Sequence, residues 1–370
     1  MSSKDFRKQY EDAMAKFSKG GPPPSPSAVP EPSKPAAPKT FFKEVAEATP
    51  DSWKKFSEVF GFTPPSGNDR KGPVYKVEEF PDMLKPFIPE IDTHYIMQPE
   101  LTEALWNANI DKDSVWLYGQ SGTGKSSLEE QFAAYIGQPF LRFNGREDTE
   151  SSALFGQLTV EGEGTVWKDG LLTEGVKYGA RVLMDEATVI PAGIWMGLQW
   201  LGEKGGKLML TDKPGTAGER LVDPDPRFRM TLADNTRGQG DDNGSFNGTG
   251  VMNTATLNRI GTTLEVKFLE YSDEVSLLET KFGDRVHSEI LNDIVRLADM
   301  LRKAQAEDQL SLAFSLRSIS SVLNKAYNYR NMNVTDAMER AFNEGYANLL
   351  PNDEEQGAAN NFFNMVFGSY

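Results

Sequence analysis

The chain contains no cysteine and only two histidines, His94 and His287, far apart in sequence. That inventory excludes disulfides, thiolate zinc sites and cysteine nucleophiles, and it makes a serine–histidine–aspartate triad a poor candidate. No apolar run approaches the ~20 residues that span a bilayer. The first residues, MSSKDFRKQYEDAM, lack the apolar centre of a secretory leader. The expectation is a cytoplasmic protein with no membrane segment. Positive charge is also short: 39 Lys and Arg stand against 54 Asp and Glu, a formal net charge of −15. Such a balance argues against a surface coated for nonspecific nucleic-acid binding, although a local basic channel is compatible with an acidic total.

What is present suits one large and one small domain with extensions: 370 residues, 38% hydrophobic and 25% charged. Residues 4–18 place Phe6, Tyr10, Met14 and Phe17 near helical spacing. The next stretch, GGPPPSPSAVPEPSKPAAPK, is Pro-rich, and in the polyproline conformation it reaches about 60 Å. Together they read as a short amphipathic helix on a tether, or as a terminus folded back on its own domain. Residues 41–98 mix aromatics and prolines and suggest an arm with short helices. From Gln98 a helix through LTEALWNAN precedes five apolar strands, SVWLYG, PFLRFN, RVLMDE, FRMTLAD and TTLEVKF, separated by helical segments. This alternation predicts an α/β sandwich around a mainly parallel sheet. After Ser272 the pattern is helical. Leu291, Ile294, Leu297, Ala298 and Leu301 share one face, a core pattern. The final NNFFNMVFGSY is aromatic enough to pack on that helical part. The partition expected is a tail at 1–40, an arm at 41–98, a large domain at 99–268, a helical lid at 269–350 and a helical tail at 351–370.

The most specific motif is LYGQSGTGKSS, which meets G-x-x-x-x-G-K-[ST] after an apolar strand and before a helix. Gly119, Gln120, Ser121, Gly122, Thr123, Gly124, Lys125, Ser126 and Ser127 would form a phosphate cradle. Glycines let backbone N–H groups point at an anion, and the helix N-terminus adds a favourable field. Lys125 suits the β- and γ-phosphates, and the Ser126 hydroxyl suits Mg²⁺. About sixty residues on, RVLMDEA ends an apolar strand in Asp185 and Glu186. At that distance the pair fits a metal-shell aspartate and a glutamate that activates water. A third strand, FRMTLADN, ends in Asn235, an amide suited to fixing the water or sensing the γ-phosphate, or merely to capping the strand. Between Asp234 and Gly261 lies a run rich in Gly, Asn and Asp, too polar for a core, ending near Arg259.

The order of P-loop, DE strand, strand-end Asn, LNRI arginine and a helical tail with FSLRS resembles the AAA+ ATPases. Within them the chain resembles the MoxR group, in the branch of the cobaltochelatase ATPase subunit. GQSGTGKS, GLLTEGVKYGARVLMDEA, the VDPDPRFRMTLADNTRGQGDD loop, NTATLNRI and DAMERAF carry the likeness over roughly residues 75–350. The resemblance implies a P-loop αβα sandwich with a helical lid, ATP as nucleotide with Mg²⁺, and a homo-oligomeric ring of six. It implies sensor 1 at Asn235, an arginine finger acting on a neighbour at Arg259, sensor 2 at Arg317, and a switch at Asn144 that can hold the glutamate off duty. LFGQLTVEGEGTVWKDG matches the hairpin inserted in helix 2 that projects toward the ring pore. ATVIP after the acid pair departs from common family versions, and the Pro-rich tail is not general among relatives; both bear on substrate more than on hydrolysis.

The function implied is ATP-driven remodelling or activation of a protein partner, with a von Willebrand A domain protein as one candidate and a chelatase-like output as one possibility. Nothing in the chain indicates a tetrapyrrole or cobalt site. A nucleic-acid motor of restriction-translocase type is the alternative. It requires a basic, aromatic-bearing groove, whereas the projecting segment carries Glu161, Glu163, Lys168 and Asp169. A non-hydrolysing scaffold is a third reading, opposed by the joint presence of Lys125, Asp185, Glu186, Asn235 and Arg259.

Overall fold

The computed structural model describes residues 50, 52–162, 164–203, 205–236, 238 and 252–368. The amphipathic segment at 4–18, the Pro-rich stretch and most of the polar run before Arg259 lie outside the described residues.

The described chain opens with a two-residue strand β1 (Lys54–Lys55), helix α1 (Phe56–Phe60) and strand β2 (Lys71–Gly72), which pairs antiparallel with β1. Irregular turns lead to α2 (Pro99–Asp111), started by a proline in its first turn, where a missing N–H costs nothing. There follow β3 (Val115–Tyr118), α3 (Lys125–Ile136), β4 (Phe140–Asn144) and the short α4 (Ser151–Phe155). Strands β5 (Gly156–Glu161) and β6 (Gly164–Asp169) form an antiparallel hairpin between α4 and α5 (Leu171–Tyr178). Then come β7 (Arg181–Asp185), α6 (Ala192–Leu198), the small β8 (Leu208–Met209) and β9 (Leu221–Val222) pair flanking α7 (Ala217–Arg220), β10 (Arg229–Asp234), α8 (Thr254–Leu257) and β11 (Thr262–Glu265).

The five apolar strands build one parallel sheet in the order β11-β3-β10-β7-β4. Parallel strands covered on both faces are apolar on both, and here alternate residues enter two different cores. Trp116, Leu141, Val182, Met184, Met230 and Leu232 face one cluster with α5 and α6. Val115, Leu117, Leu183 and Ala233 face the other, with α2, α3 and the aromatic residues of α1. Helix α3 is fixed to the sheet by a fully buried ion pair, Arg181 to Glu129 at 2.9 Å, to which the Thr231 hydroxyl donates at 2.8 Å. The fold is thus an α/β P-loop sandwich.

Five helices complete it: α9 (Tyr271–Phe282), α10 (Ser288–Ala306), α11 (Leu316–Asn328), α12 (Val334–Gly345) and α13 (Asp353–Phe367). They share a separate core that includes Leu291, Ile294, Leu297, Ala298 and Leu301, the stripe expected from spacing. The C-terminal aromatics belong to it: Phe363 stacks between Phe342 and Phe367 at 5.0 and 5.2 Å. No helix of the described residues is long and apolar enough to cross a membrane.

Candidate nucleotide site

All the motif-bearing strands of the sheet, β3, β4, β7 and β10, end on the same edge, since they are parallel and in register. In parallel sheets this carboxyl edge is where ligands bind. The loop after β3 reaches α3 through Gly124, which caps the helix at φ 93°, a left-handed conformation that a side chain would oppose. Lys125 is therefore the first helical residue and points back over the loop. Its ammonium donates to the carbonyls of Gly119 (2.6 Å) and Gln120 (3.0 Å) and to Oδ1 of Asn235 (2.9 Å). Burial lowers the Lys125 pKa, opposed by the nearby charges of Glu186, Asp185 and Asp234.

The hydroxyl of the next residue, Ser126, donates to Asp185 Oδ2 at 2.7 Å, so a helix start and a strand end place two hard oxygen donors together. The backbone N–H of Glu186 donates to the other oxygen of Asp185 at 3.2 Å. Glu186 itself leaves the strand in the left-handed region, φ 51° and ψ 49°. Its carboxylate lies 3.3 Å from the Asn235 amide nitrogen through either oxygen. Glu186, Asn235 and Lys125 thus form one continuous hydrogen-bonded line. Burial, then Asp234 and Asp185, pushes the Glu186 carboxyl above its ordinary range; Lys125 and the Asn235 bond pull the other way.

Three predicted residues stand apart from that line. Asn144 ends β4 opposite Asp185 in register and is exposed, its side chain making no hydrogen bond among the described residues. Arg317 is the second residue of α11 and is exposed. Arg259 follows α8 and pairs with Glu203 at 2.8 Å while donating to the Ala255 carbonyl; it touches none of the P-loop residues. Beside the P-loop opens a cavity of ≈ 220 Å³ walled by Tyr95 and Ile96 of the arm, Thr123 and Gly124 of the loop, and Leu277 and Leu316 of the helical lid. Its lining mixes these apolar residues with Asp92, Glu130, Glu274 and Lys281, and its place beside the P-loop suits a nucleoside.

Comparison with known proteins bears on the family. The profile described as AAA domain (dynein-related subfamily) matches residues 114–237, from the start of β3 to just past Asn235. The aerobic cobaltochelatase subunit CobS of a Sinorhizobium species is 27% identical over 308 residues, covering 79% of this chain and 88% of that protein. Residues 114–237 carry an AAA domain, and over most of its length the chain is similar to AAA+ ATPases of the MoxR type. A further relative is von Willebrand factor A domain-containing protein 8 of Mus musculus, 24% identical over 73% of this chain; the match spans 14% of that much longer protein. Among solved structures, a putative ATPase from Cytophaga hutchinsonii matches 74% of this chain and 90% of its own, at 15% identity and a TM-score of 0.40.

With an AAA domain around this P-loop and ATPase relatives along most of its length, the protein is an ATP-hydrolysing P-loop enzyme. Three features of its site leave little or no mark in the sequence. The arm residues that line the cavity beside the P-loop carry no motif. Thr188 fastens the turn after Glu186 to the neighbouring strand, its N–H and hydroxyl both donating to Asp234 Oδ2 at 2.8 and 2.5 Å. Arg142 donates to Asp185 Oδ2. Only the last left a trace in the sequence: an arginine in the apolar FLRFN, two residues before Asn144 and so on the same face of the strand.

Proposed function

We propose that this MoxR-type ATPase works as a closed homo-oligomeric ring, a hexamer by resemblance, in which each site is completed by Arg259 of a neighbour. The observation that carries this reading is the separation of Arg259 from its own P-loop, with its side chain about a third exposed. A head-to-tail contact that lends a residue to the next site closes into a ring when its rotation permits. Within each site, Lys125 meets the phosphates. Ser126 and Asp185 would hold Mg²⁺, which their oxygen donors fit, and the ion would neutralise charge on the phosphates. Glu186 takes the proton from the attacking water, with Asn235 fixing its carboxylate. Arg317 acts as a sensor from the lid, and Asn144 as a switch that competes for Glu186.

The ring would pass its motion to a protein partner. The β5–β6 hairpin exposes Leu158, Val160 and Val166, and its Lys168 is paired with Glu161, so it offers an apolar rather than a basic contact. That favours a polypeptide over the nucleic-acid motor alternative. A von Willebrand A domain is the partner class suggested by the relative that carries one. The cytoplasm is the compartment that best suits a chain without cysteine.

The test is hydrolysis per subunit against protein concentration, with the assembly sized in parallel. A specific rate that climbs as rings form is expected, because a finger is worth ~10³ to 10⁵ in rate. A rate independent of concentration across the assembly transition would remove the shared site.

A further inference from the structure

Asp185 is held from three sides. Ser126 Oγ and the guanidinium of Arg142 donate to the same oxygen, Oδ2, and the Glu186 N–H donates to Oδ1. Arg142 is the third residue of β4, with Phe140 and Asn144 on its face, while Leu141 and Phe143 turn into the opposite core. Its side chain is 49% exposed and Asp185's is 8% exposed. The carboxylate is therefore fixed, whereas the guanidinium has room to move outward.

We propose that Arg142 is a positioning residue that competes with the divalent cation for Asp185 and so sets how much Mg²⁺ the site needs to bind nucleotide. This rests on the assignment of Ser126 and Asp185 to the metal. A cation held between that hydroxyl and that carboxylate would contact the oxygen Arg142 now holds, and two positive groups cannot share it without repulsion. The opposing effect, that Arg142 pre-positions the carboxylate for the metal, is the smaller one. Ser126 at 2.7 Å and the Glu186 N–H at 3.2 Å still hold Asp185 once the arginine is gone, and β7 is buried along its length. Arg142 thus keeps Asp185 charge-balanced while no cation is bound, and it yields when the cation arrives with the nucleotide.

The experiment titrates free Mg²⁺ against binding of a fluorescent ATP analogue, with Mn²⁺ binding followed separately by electron paramagnetic resonance. Wild type, Arg142→Gln and Arg142→Lys are compared at one protein concentration. Arg142→Gln should reach half-maximal nucleotide binding at about tenfold lower free Mg²⁺ and bind Mn²⁺ more tightly by a similar factor, since a like charge has been removed. Arg142→Lys, which keeps the charge, should stay near wild type and also guards against a misfolded glutamine variant. An unchanged or raised Mg²⁺ requirement in Arg142→Gln overturns the proposal, as does a lysine variant that follows the glutamine one. A wild type whose nucleotide binding ignores Mg²⁺, or an Asp185→Asn variant that keeps the wild-type Mg²⁺ dependence, would instead sink the metal assignment itself.

Discussion

Glu186 combines two unfavourable features in one residue. Its backbone is left-handed, a state that costs a side-chain-bearing residue on the order of 1–3 kcal/mol, and its carboxylate lies among Asp185, Asp234 and buried surroundings. Such strain persists when neighbours over-determine it. Here the Thr188–Asp234 bonds and the Asn235 contact do so from one side, and Gly145 N–H to Asp185 O at 2.7 Å does so from the other. Replacement by glutamine removes the charge and keeps the shape. Glu186→Gln should bind ATP normally and lose about 10² to 10⁴ in turnover, the usual worth of a general base; steady-state hydrolysis beside a binding titration decides it. The raised pKa has two signed consequences. Only the ionised form accepts a proton, so wild-type turnover should fall on the acid side at a pH above the ordinary glutamate value of 4.5. A carboxyl raised on folding is penalised when ionised, and that penalty is absent below its unfolded pKa and present above its folded one. Glu186→Gln should therefore melt higher than wild type at neutral pH, with the difference shrinking as pH falls. A glutamine variant that melts lower at neutral pH would contradict the charge argument.

At the scale of elements, the lid meets the P-loop at one tight point. Gly122 has φ +82°, and a Cβ built on it would lie 2.4 Å from Cβ of Ser315. Ser315 caps α11, and Leu316 beside it walls the cavity next to the P-loop. Gly122→Ala should press α11 away from the loop and weaken nucleotide binding about tenfold or more, with the fold retained. Circular dichroism and a nucleotide titration would show it. Gly122→Ala with Ser315→Gly should recover part of the loss, and no recovery would place the defect in the loop backbone alone. The same elements show what local sequence could reveal. The inner strands β3, β7 and β10 are buried and mainly apolar runs, the P-loop and the Asp185–Glu186 pair are contiguous, and the helices after Ser272 carry their stripes openly. The β8–β9 and β1–β2 pairs are two residues per strand, too short for any periodicity to register. Arg142 on Asp185 and Thr188 on Asp234 join neighbouring strands, and the cavity beside the P-loop joins an arm to a lid. Contacts of that kind depend on three-dimensional closure, and no spacing along the chain announces them.

At the scale of the whole molecule the question is who supplies the arginine. The partly exposed Arg259–Glu203 pair is worth about 0–1 kcal/mol, so it presents little obstacle to Arg259 turning toward a neighbour's phosphates. Arg259→Ala subunits would hold nucleotide but offer no finger; Lys125→Ala subunits would offer a finger but hold no nucleotide. Each alone should be nearly inactive. If the finger acts across an interface, a mixed ring creates intact sites wherever an Arg259→Ala subunit's P-loop faces a Lys125→Ala subunit's arginine. Random mixing in equal amounts makes about one interface in four of this kind, half of the subunits being the first type and half of their donors the second. Hydrolysis in the mixture should therefore rise well above the sum of the two variants, toward about a quarter of the wild-type rate if the sites turn over independently. A finger serving its own subunit predicts no such rise, because no chain in the mixture carries both residues. Mass measurement of the mixed assemblies must accompany the assay: co-assembly without recovery would exclude a trans site and with it the ring as the unit of catalysis.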